Sequence, residues 1–103
     1  MAKITRAMAE KWLGDVPQEK QFWCRDGRVL KNLSELEGAL KLMTEETFQY
    51  HSNETKNDFS KWVADVIGDG ELARYLQKSS SRVQAAKNVA DRVTWLNNKA
   101  VTG

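Results

Sequence analysis

The residues best suited to catalysis are His51 and Asp58, which lie seven positions apart. His51 is the only histidine in the sequence, so any reaction that needs an imidazole must use it. Metal sites usually take three or four protein ligands, and the sequence has no HxxxH, HExxH or cysteine pair to supply them. A metal-assisted enzyme centred on His51 and Asp58 therefore stays an alternative. The simpler interpretation is that His51 ends a short helix and hydrogen-bonds a neighbouring loop.

Cys24 is the only cysteine, which excludes an internal disulfide and a zinc site built on several thiolates. Arg25 follows it, but adjacent residues of a strand point to opposite faces, so we interpret Cys24 as a small core residue and not as a nucleophile. The loops that bind nucleotide phosphates, GxxxxGK(S/T) and GxGxxG, are absent from the sequence. These observations predict a protein that is not an enzyme and uses no cofactor.

Two arginines and an indole lie around a predicted turn. Arg25 and Arg28 flank Asp26-Gly27, and Trp23 comes just before them. Guanidinium groups bind phosphates and indole rings stack on bases, so this group predicts contact with a partner. The alternative is a solvated turn with Trp23 buried beneath the helices.

The C-terminal part of the chain is basic. Residues 74–103 contain six lysines and arginines and one aspartate, although the net charge of the whole chain is +2. Such asymmetry is typical of nucleic-acid contact, and equally of attraction between a basic helix and an acidic body. The cations of the last helix flank its polar face and do not form one stripe. The nucleic-acid hypothesis uses Arg25, Arg28, Arg82, Lys87 and Arg92.

Trp95 points away from the apolar face of the predicted last helix. Either another element covers it, such as the first helix with Trp12, or it is an anchor for a partner.

One β-hairpin is expected near residues 21–31, where two apolar segments flank an Asp-Gly pair that suits a type I′ turn. In that register Cys24 lies opposite Val29, and Trp23 lies opposite Leu30. A lone hairpin is marginally stable in water, so we expect it to pack on the helices.

Five or six short helices account for most of the remaining chain. Apolar residues recur at intervals of three and four. These stripes are Ile4, Ala7, Met8 and Trp12; Leu33, Leu36, Leu40 and Met43; Phe59, Trp62, Val63, Val66 and Ile67; Leu72, Ala73 and Leu76; and Val83, Ala86, Val89, Ala90, Val93 and Leu96. We interpret Asn57, Asp58 and Asp69 as helix N-caps, and Gly68 as a left-handed residue that ends a helix.

Three segments resemble a family of small uncharacterised domains from archaea and some bacteria. They form an FxxH…NDFxxWV…VIGDxxLA signature, which begins at Phe48, Asn57 and Val66. The resemblance extends over roughly residues 22–95 and leaves out the first helix. It implies a compact, mostly helical module, and it implies no particular reaction, cofactor or ligand.

The length of 103 residues, with 41% hydrophobic and 29% charged residues, is typical of one domain. No apolar run approaches the roughly 20 residues of a membrane span. The charged beginning of the chain has no signal-peptide core. We therefore expect a cytoplasmic protein with a reduced Cys24 and no membrane partner.

We predict a single α+β domain over residues 1–103, predominantly helical, with a helix at 3–13, a hairpin at 21–31 and a helical body at 33–99.

The predicted function is that of a non-enzymatic interaction module that binds a protein or self-associates. Its last helix and hairpin surface would make the contact, through Trp23, Arg25, Arg28 and Trp95. A nucleic-acid-binding module is the first alternative, although a net charge of +2 is small for a domain that binds phosphates. The metal-assisted enzyme is the second alternative.

Overall fold

The fold is α+β and predominantly helical, as predicted, in the computed structural model, which describes residues 3–102. These residues form six α-helices and one antiparallel two-stranded hairpin. The helices are α1 (Arg6–Leu13), α2 (Leu33–Leu42), α3 (Glu45–His51), α4 (Asp58–Trp62), α5 (Gly70–Lys78) and α6 (Arg82–Thr102), and the strands are β1 (Phe22–Trp23) and β2 (Val29–Leu30). A 3-10 turn, Gln18–Lys20, precedes β1, and a π-helical turn, Val63–Ile67, continues α4.

Polar side chains begin the first five helices. Each accepts a hydrogen bond from a backbone amide of the first turn, and the residues are Thr5, Asn32, Thr44, Asn57 and Asp69. α1 begins at Arg6 and not at residue 3, because its cap, Thr5, is extended. Asn57 caps α4, whereas Asp58 is the first helical residue. Gly68 ends the π-helical turn with a φ of 99°, which confirms its left-handed conformation.

The core lies around α6, which packs along both α1 and α2. All four residues of the predicted α2 stripe are buried. The buried residues of α6 include Ala85, Ala86, Val89, Val93 and Leu96. The prediction for Val83 was wrong: it is 66% exposed, because in the first turn of α6 it lines a shallow groove beside Lys41.

The hairpin register differs by one residue from the prediction, which paired Cys24 with Val29. Phe22 lies opposite Leu30, and Trp23 lies opposite Val29. Because side chains alternate between the two faces of a strand, a slip of one residue exchanges the faces. Phe22 and Leu30 are buried, whereas Trp23 and Val29 lie on the exposed face. Trp23 and Leu30 therefore do not share a face as predicted.

The turn explains this register. A type I′ turn needs a positive φ at both central residues, but Asp26 lacks one and Gly27 has a φ of 98°. The amide of Gly27 donates to the carbonyl of Cys24 (3.0 Å), and the amide of Cys24 donates to the carbonyl of Arg28 (2.8 Å). These bonds close a three-residue loop, one residue longer than the predicted turn.

A buried ion pair joins the start of α5 to α6. The Arg92 guanidinium donates twice to the Asp69 carboxylate, at 2.7 and 2.9 Å, and approaches Glu71 at 3.3 Å. Asp69 is fully buried and also accepts from the amide of Leu72, which confirms it as the N-cap of α5. Burial alone would lower the pKa of Arg92, but the hydrogen bonds and charge of Asp69 outweigh it and raise the pKa.

None of the helices formed by residues 3–102 is long and apolar enough to cross a membrane.

The Asp69–Arg92 pair gives a test of the fold. Asp69→Asn keeps an oxygen for the α5 cap but leaves a buried guanidinium without its carboxylate, so we expect the free energy of unfolding in urea to fall by about 3 kcal/mol. The control is Asp91→Asn, which removes an exposed partner of Lys87 in α6 and should cause no measurable change. An Asp69→Asn protein as stable as the control would contradict this role.

Candidate functional site

His51 lies in a buried aromatic cluster between the hairpin and the helices. It is 4% exposed. Its ring centroid lies 5.2 Å from that of Phe22, 4.9 Å from that of Tyr50 and 5.3 Å from that of Phe59. These contacts leave little of the ring open to solvent.

The loop between α3 and α4 brings His51 to Asp58. His51 is the last residue of α3 and Asp58 is the first residue of α4. A single antiparallel bridge between Ser52 and Asn57 closes the loop between them. Two side chains seven positions apart in the sequence therefore meet.

Both ring nitrogens of His51 have hydrogen-bond partners. Nδ1 lies 2.9 Å from Oδ2 of Asp58, and Nε2 lies 3.0 Å from the backbone nitrogen of Arg25. A backbone amide can only donate, so this hydrogen-bond pattern assigns Nε2 as an acceptor without a proton. The ring proton then lies on Nδ1, which donates to Asp58. The interpretation of His51 as a helix-end residue that hydrogen-bonds a neighbouring loop is confirmed.

Asp58 is an ionised carboxylate that holds the imidazole of His51 in place. Burial alone would raise the pKa of Asp58, but hydrogen bonds from His51 and Lys56 outweigh it and hold the pKa below its ordinary value of 3.8. Nζ of Lys56 lies 3.0 Å from the carboxylate oxygen that faces His51. A neighbouring carboxylate of this kind fixes the tautomer of a histidine.

This arrangement leaves His51 without a lone pair to offer to a metal or a substrate proton, because the Arg25 amide occupies Nε2. Within residues 3–102, no three His, Cys, Asp or Glu side chains converge as a metal site would require. Cys24 is a buried free thiol whose pKa is raised by burial, so it stays protonated. Its interpretation as a core residue is confirmed.

The hairpin tip presents Trp23 to solvent, and each of its two exposed arginines has a partner within the chain. Trp23 is 74% exposed and is not buried beneath the helices. The guanidinium carbon of Arg25 lies 4.4 Å from the ring centroid of Tyr50. Nε of Arg28 lies 3.1 Å from the carboxylate of Asp26. The indole is therefore an accessible apolar group of this tip.

An apolar groove of about 400 Å³ runs between β2 and α2. Val29, the cross-strand neighbour of Trp23, and Leu42, which is 70% exposed, line it. The space beside Gly38 is open, because a Cβ atom built there would meet no other atom within 4 Å. We call this feature the hairpin groove.

The other predicted nucleic-acid contacts are used within the fold. Arg82 donates to two backbone carbonyls at the end of α2, at 2.7 and 3.0 Å, and to Glu45 at 3.0 Å. Arg92 is buried in its ion pair. Lys87 lies 2.8 Å from Asp91, whose hydrogen bond and charge raise the pKa of Lys87. All five predicted cations therefore have partners within the chain.

Trp95 is 43% exposed, and the Arg92 guanidinium lies over its ring at 4.7 Å. Trp95 and Tyr75 both line a cleft between α5 and α6. Trp23 instead lies beside the hairpin groove. The structure thus places the two predicted tryptophan anchors on different features of the surface.

Leu42 and Tyr50 were missed by the sequence reasoning. Leu42 lies two positions after Leu40 and falls outside the α2 stripe. A leucine outside the apolar stripe of a helix is a sequence signal for an exposed apolar contact, and it could have been used. The contact between Tyr50 and Arg25 joins residues that are distant in sequence, and no spacing indicates it.

Comparisons of the chain with protein-family models, with curated proteins and with solved structures found no significant match. The family resemblance of residues 22–95 therefore stays a prediction.

Replacement of His51 tests its link to the hairpin. His51→Phe keeps an aromatic ring but leaves the Arg25 amide without its acceptor, so we expect the free energy of unfolding to fall by about 1–3 kcal/mol. We also expect faster hydrogen exchange at that amide, measured by NMR. The control, Tyr50→Phe, alters only the hydroxyl of the adjacent ring and should leave both quantities unchanged. Unchanged exchange at Arg25 in His51→Phe would contradict the link.

The lowered pKa of Asp58 predicts a specific pH dependence. Its stabilising contribution is complete above the unfolded-state pKa of about 3.9, and is lost as the pH falls through the lower folded-state pKa. We expect Asp58→Asn to be less stable than the wild type at neutral pH, with the difference closing in strong acid. Urea unfolding across this range measures it. A difference independent of pH would count against the ionised pair.

Proposed function

We propose that this protein is a small interaction module that binds a second copy of itself through Trp23 and the hairpin groove. The observation that carries the proposal is the exposed indole beside an open apolar groove. Tryptophan offers a large apolar area for burial, and it is enriched among the residues that dominate binding energy.

Trp23 and the hairpin groove suit a symmetric contact because each copy carries both parts. In a two-fold dimer the same surface faces itself, so an indole that enters the opposite groove creates the reverse contact at the same time. The groove volume of about 400 Å³ lies within the range of pockets that hold small ligands. Gly38 leaves room for the entering ring.

The charges that line the hairpin groove also suit a second copy. Arg28 and Glu35 line the groove and have opposite signs, so a two-fold arrangement can place each beside its opposite. The exposed parts of Trp23, Val29 and Leu42 would form the apolar centre. A stable interface buries about 800 Å² on each partner, and polar residues around this centre would supply the rest.

The hairpin is held in place before binding. His51 fixes the Arg25 amide, and Phe22 packs on Phe59 with ring centroids 5.3 Å apart. Trp23 lies in β1, between these two anchors. A partner therefore meets a largely preformed surface, and the entropy cost of ordering it is small.

We infer that the protein is not an enzyme, because the nitrogens of its only histidine are engaged in holding the hairpin. The nucleic-acid alternative is not proposed, because its cations are engaged with partners in the chain. A reducing compartment such as the cytoplasm suits the buried free thiol of Cys24.

Light scattering coupled to size-exclusion chromatography tests the proposal over a series of concentrations. The wild type should move from the 11.7 kDa of one chain towards twice that mass. Trp23→Ser should remain monomeric, because the entering ring is lost. Leu42→Ser should weaken dimerisation, with the dissociation constant rising by about tenfold or more.

The matched control is Val101→Ser, which removes an aliphatic side chain that is 79% exposed near the end of α6. It should dimerise like the wild type. A wild type that stays monomeric at the highest concentration, or a Trp23→Ser protein that dimerises normally, would overturn the proposal.

A further inference from the structure

The hydrogen bond between His51 and the hairpin depends on the charge of the imidazole. Nε2 of His51 accepts from the backbone amide of Arg25 at 3.0 Å, and Nδ1 faces the carboxylate of Asp58 at 2.9 Å. A neutral imidazole has one nitrogen that donates and one that accepts, so it fits both partners. An imidazolium donates from both nitrogens, so it fits Asp58 but not the Arg25 amide. One added proton therefore removes the polar anchor of the hairpin.

The added proton has a single place to bind. Nδ1 already carries the ring proton, so the free lone pair of the ring lies on Nε2 and points to the Arg25 amide. The ring of His51 is 4% exposed, and this amide covers the lone pair. A proton from water therefore binds Nε2 only when the hairpin has moved away from the ring.

The helices and the loop between them place opposite charges near the imidazole. Asp58 on α4 favours the imidazolium, because a nearby carboxylate stabilises a positive charge. Lys56 in the preceding loop opposes it, since its Nζ lies 3.0 Å from the same carboxylate oxygen. Tyr50 on α3 contacts the imidazole through its ring, and tyrosine is uncharged at neutral and acidic pH.

The hairpin offers the imidazolium no free carboxylate. Asp26 is the only acidic residue between Phe22 and Leu30, and it is paired with Arg28 at 3.1 Å. Arg25 adds a positive charge, and Cys24 stays a protonated thiol because burial raises its pKa. The charges of the hairpin therefore do not compensate for the hydrogen bond that protonation breaks.

We propose that protonation of His51 releases the hairpin from the helices as the pH falls from about 8 to 5, the range in which histidines change charge. The open form exposes Nε2 and binds the proton, whereas the closed form does not, so the closed form is favoured at the higher pH. One such proton changes the ratio of open to closed forms by up to about tenfold per pH unit. Release of the hairpin does not require the proposed dimer, but its effect on dimerisation rests on that proposed function.

Hydrogen exchange of the Arg25 amide, measured by NMR between about pH 8 and pH 5, tests the release. Each rate is divided into the rate of an unstructured chain at the same pH, which gives a protection factor. We expect the protection factor of Arg25 to fall by about tenfold or more over this range. The internal control is the amide of Met43, which donates to the carbonyl of Ala39 at 2.8 Å and involves no titratable group. Repetition in Trp23→Ser excludes a contribution from dimerisation.

Three variants separate the charge of the imidazole from its packing. In His51→Phe the ring cannot be protonated, so the Arg25 amide should have low protection at every pH. Asp58→Asn should move the release to lower pH, because the imidazolium loses its carboxylate. Lys56→Gln should move it to higher pH, because a competing positive charge is lost. The control is Lys87→Gln, which removes a lysine from α6 and should leave the pH of release unchanged.

An Arg25 amide that is as protected at pH 5 as at pH 8 would overturn the proposal. An equal fall at Met43, or the same pH dependence in His51→Phe, would also overturn it.

Light scattering of the wild type at both pH values separates this proposal from the proposed dimer. A dimer at pH 8 that dissociates at pH 5, together with loss of Arg25 protection, supports both. Loss of Arg25 protection in a protein that is monomeric at both pH values supports the release and contradicts the dimer alone. A dimer that persists at pH 5 after the loss of Arg25 protection would overturn the effect of the release on dimerisation.

Discussion

The arrangement of this protein depends on one imidazole placed between its hairpin and its helices. Two strands of two residues each cannot form a stable hairpin alone, so they need anchors on the helical body. Phe22 and Leu30 provide apolar anchors, and His51 provides a polar one at the Arg25 amide. The tautomer of His51 is set by Asp58 on α4. The hydrogen bond that fixes the hairpin thus also removes the lone pair that a catalytic histidine would need.

Other charged side chains that could take part in a reaction or bind a ligand are likewise used to stabilise the fold. Asp69 and Arg92 pair in the core, and Arg82 satisfies carbonyls at the end of α2. The two exposed tryptophans, Trp23 and Trp95, differ in their surroundings. Trp23 adjoins an apolar groove, whereas the ring of Trp95 lies under the Arg92 guanidinium. These surroundings are the basis of the proposed interaction module.

Local physical rules predicted most of the helical part of the fold. The α2 stripe and the Asn57, Gly68 and Asp69 caps depend on near neighbours, and they were predicted correctly. The hairpin register failed because it depends on whether the loop has two or three residues, and an Asp-Gly pair is compatible with both. The Asp69–Arg92 pair joins residues 23 positions apart, so helix periodicity placed Arg92 near the polar face without showing its partner. The hydrogen bond between His51 and the Arg25 amide also joins residues that are distant in sequence, 26 positions apart, so local rules could not predict it.

The protonation pattern of His51 is the most direct test of the claim that its imidazole is a structural link. A long-range proton–nitrogen correlation spectrum of the imidazole measures this pattern. We predict a proton on Nδ1 that exchanges slowly with water, and no proton on Nε2. A proton on Nε2 would contradict the claim, because the Arg25 amide would then lack its acceptor and the hairpin its polar anchor.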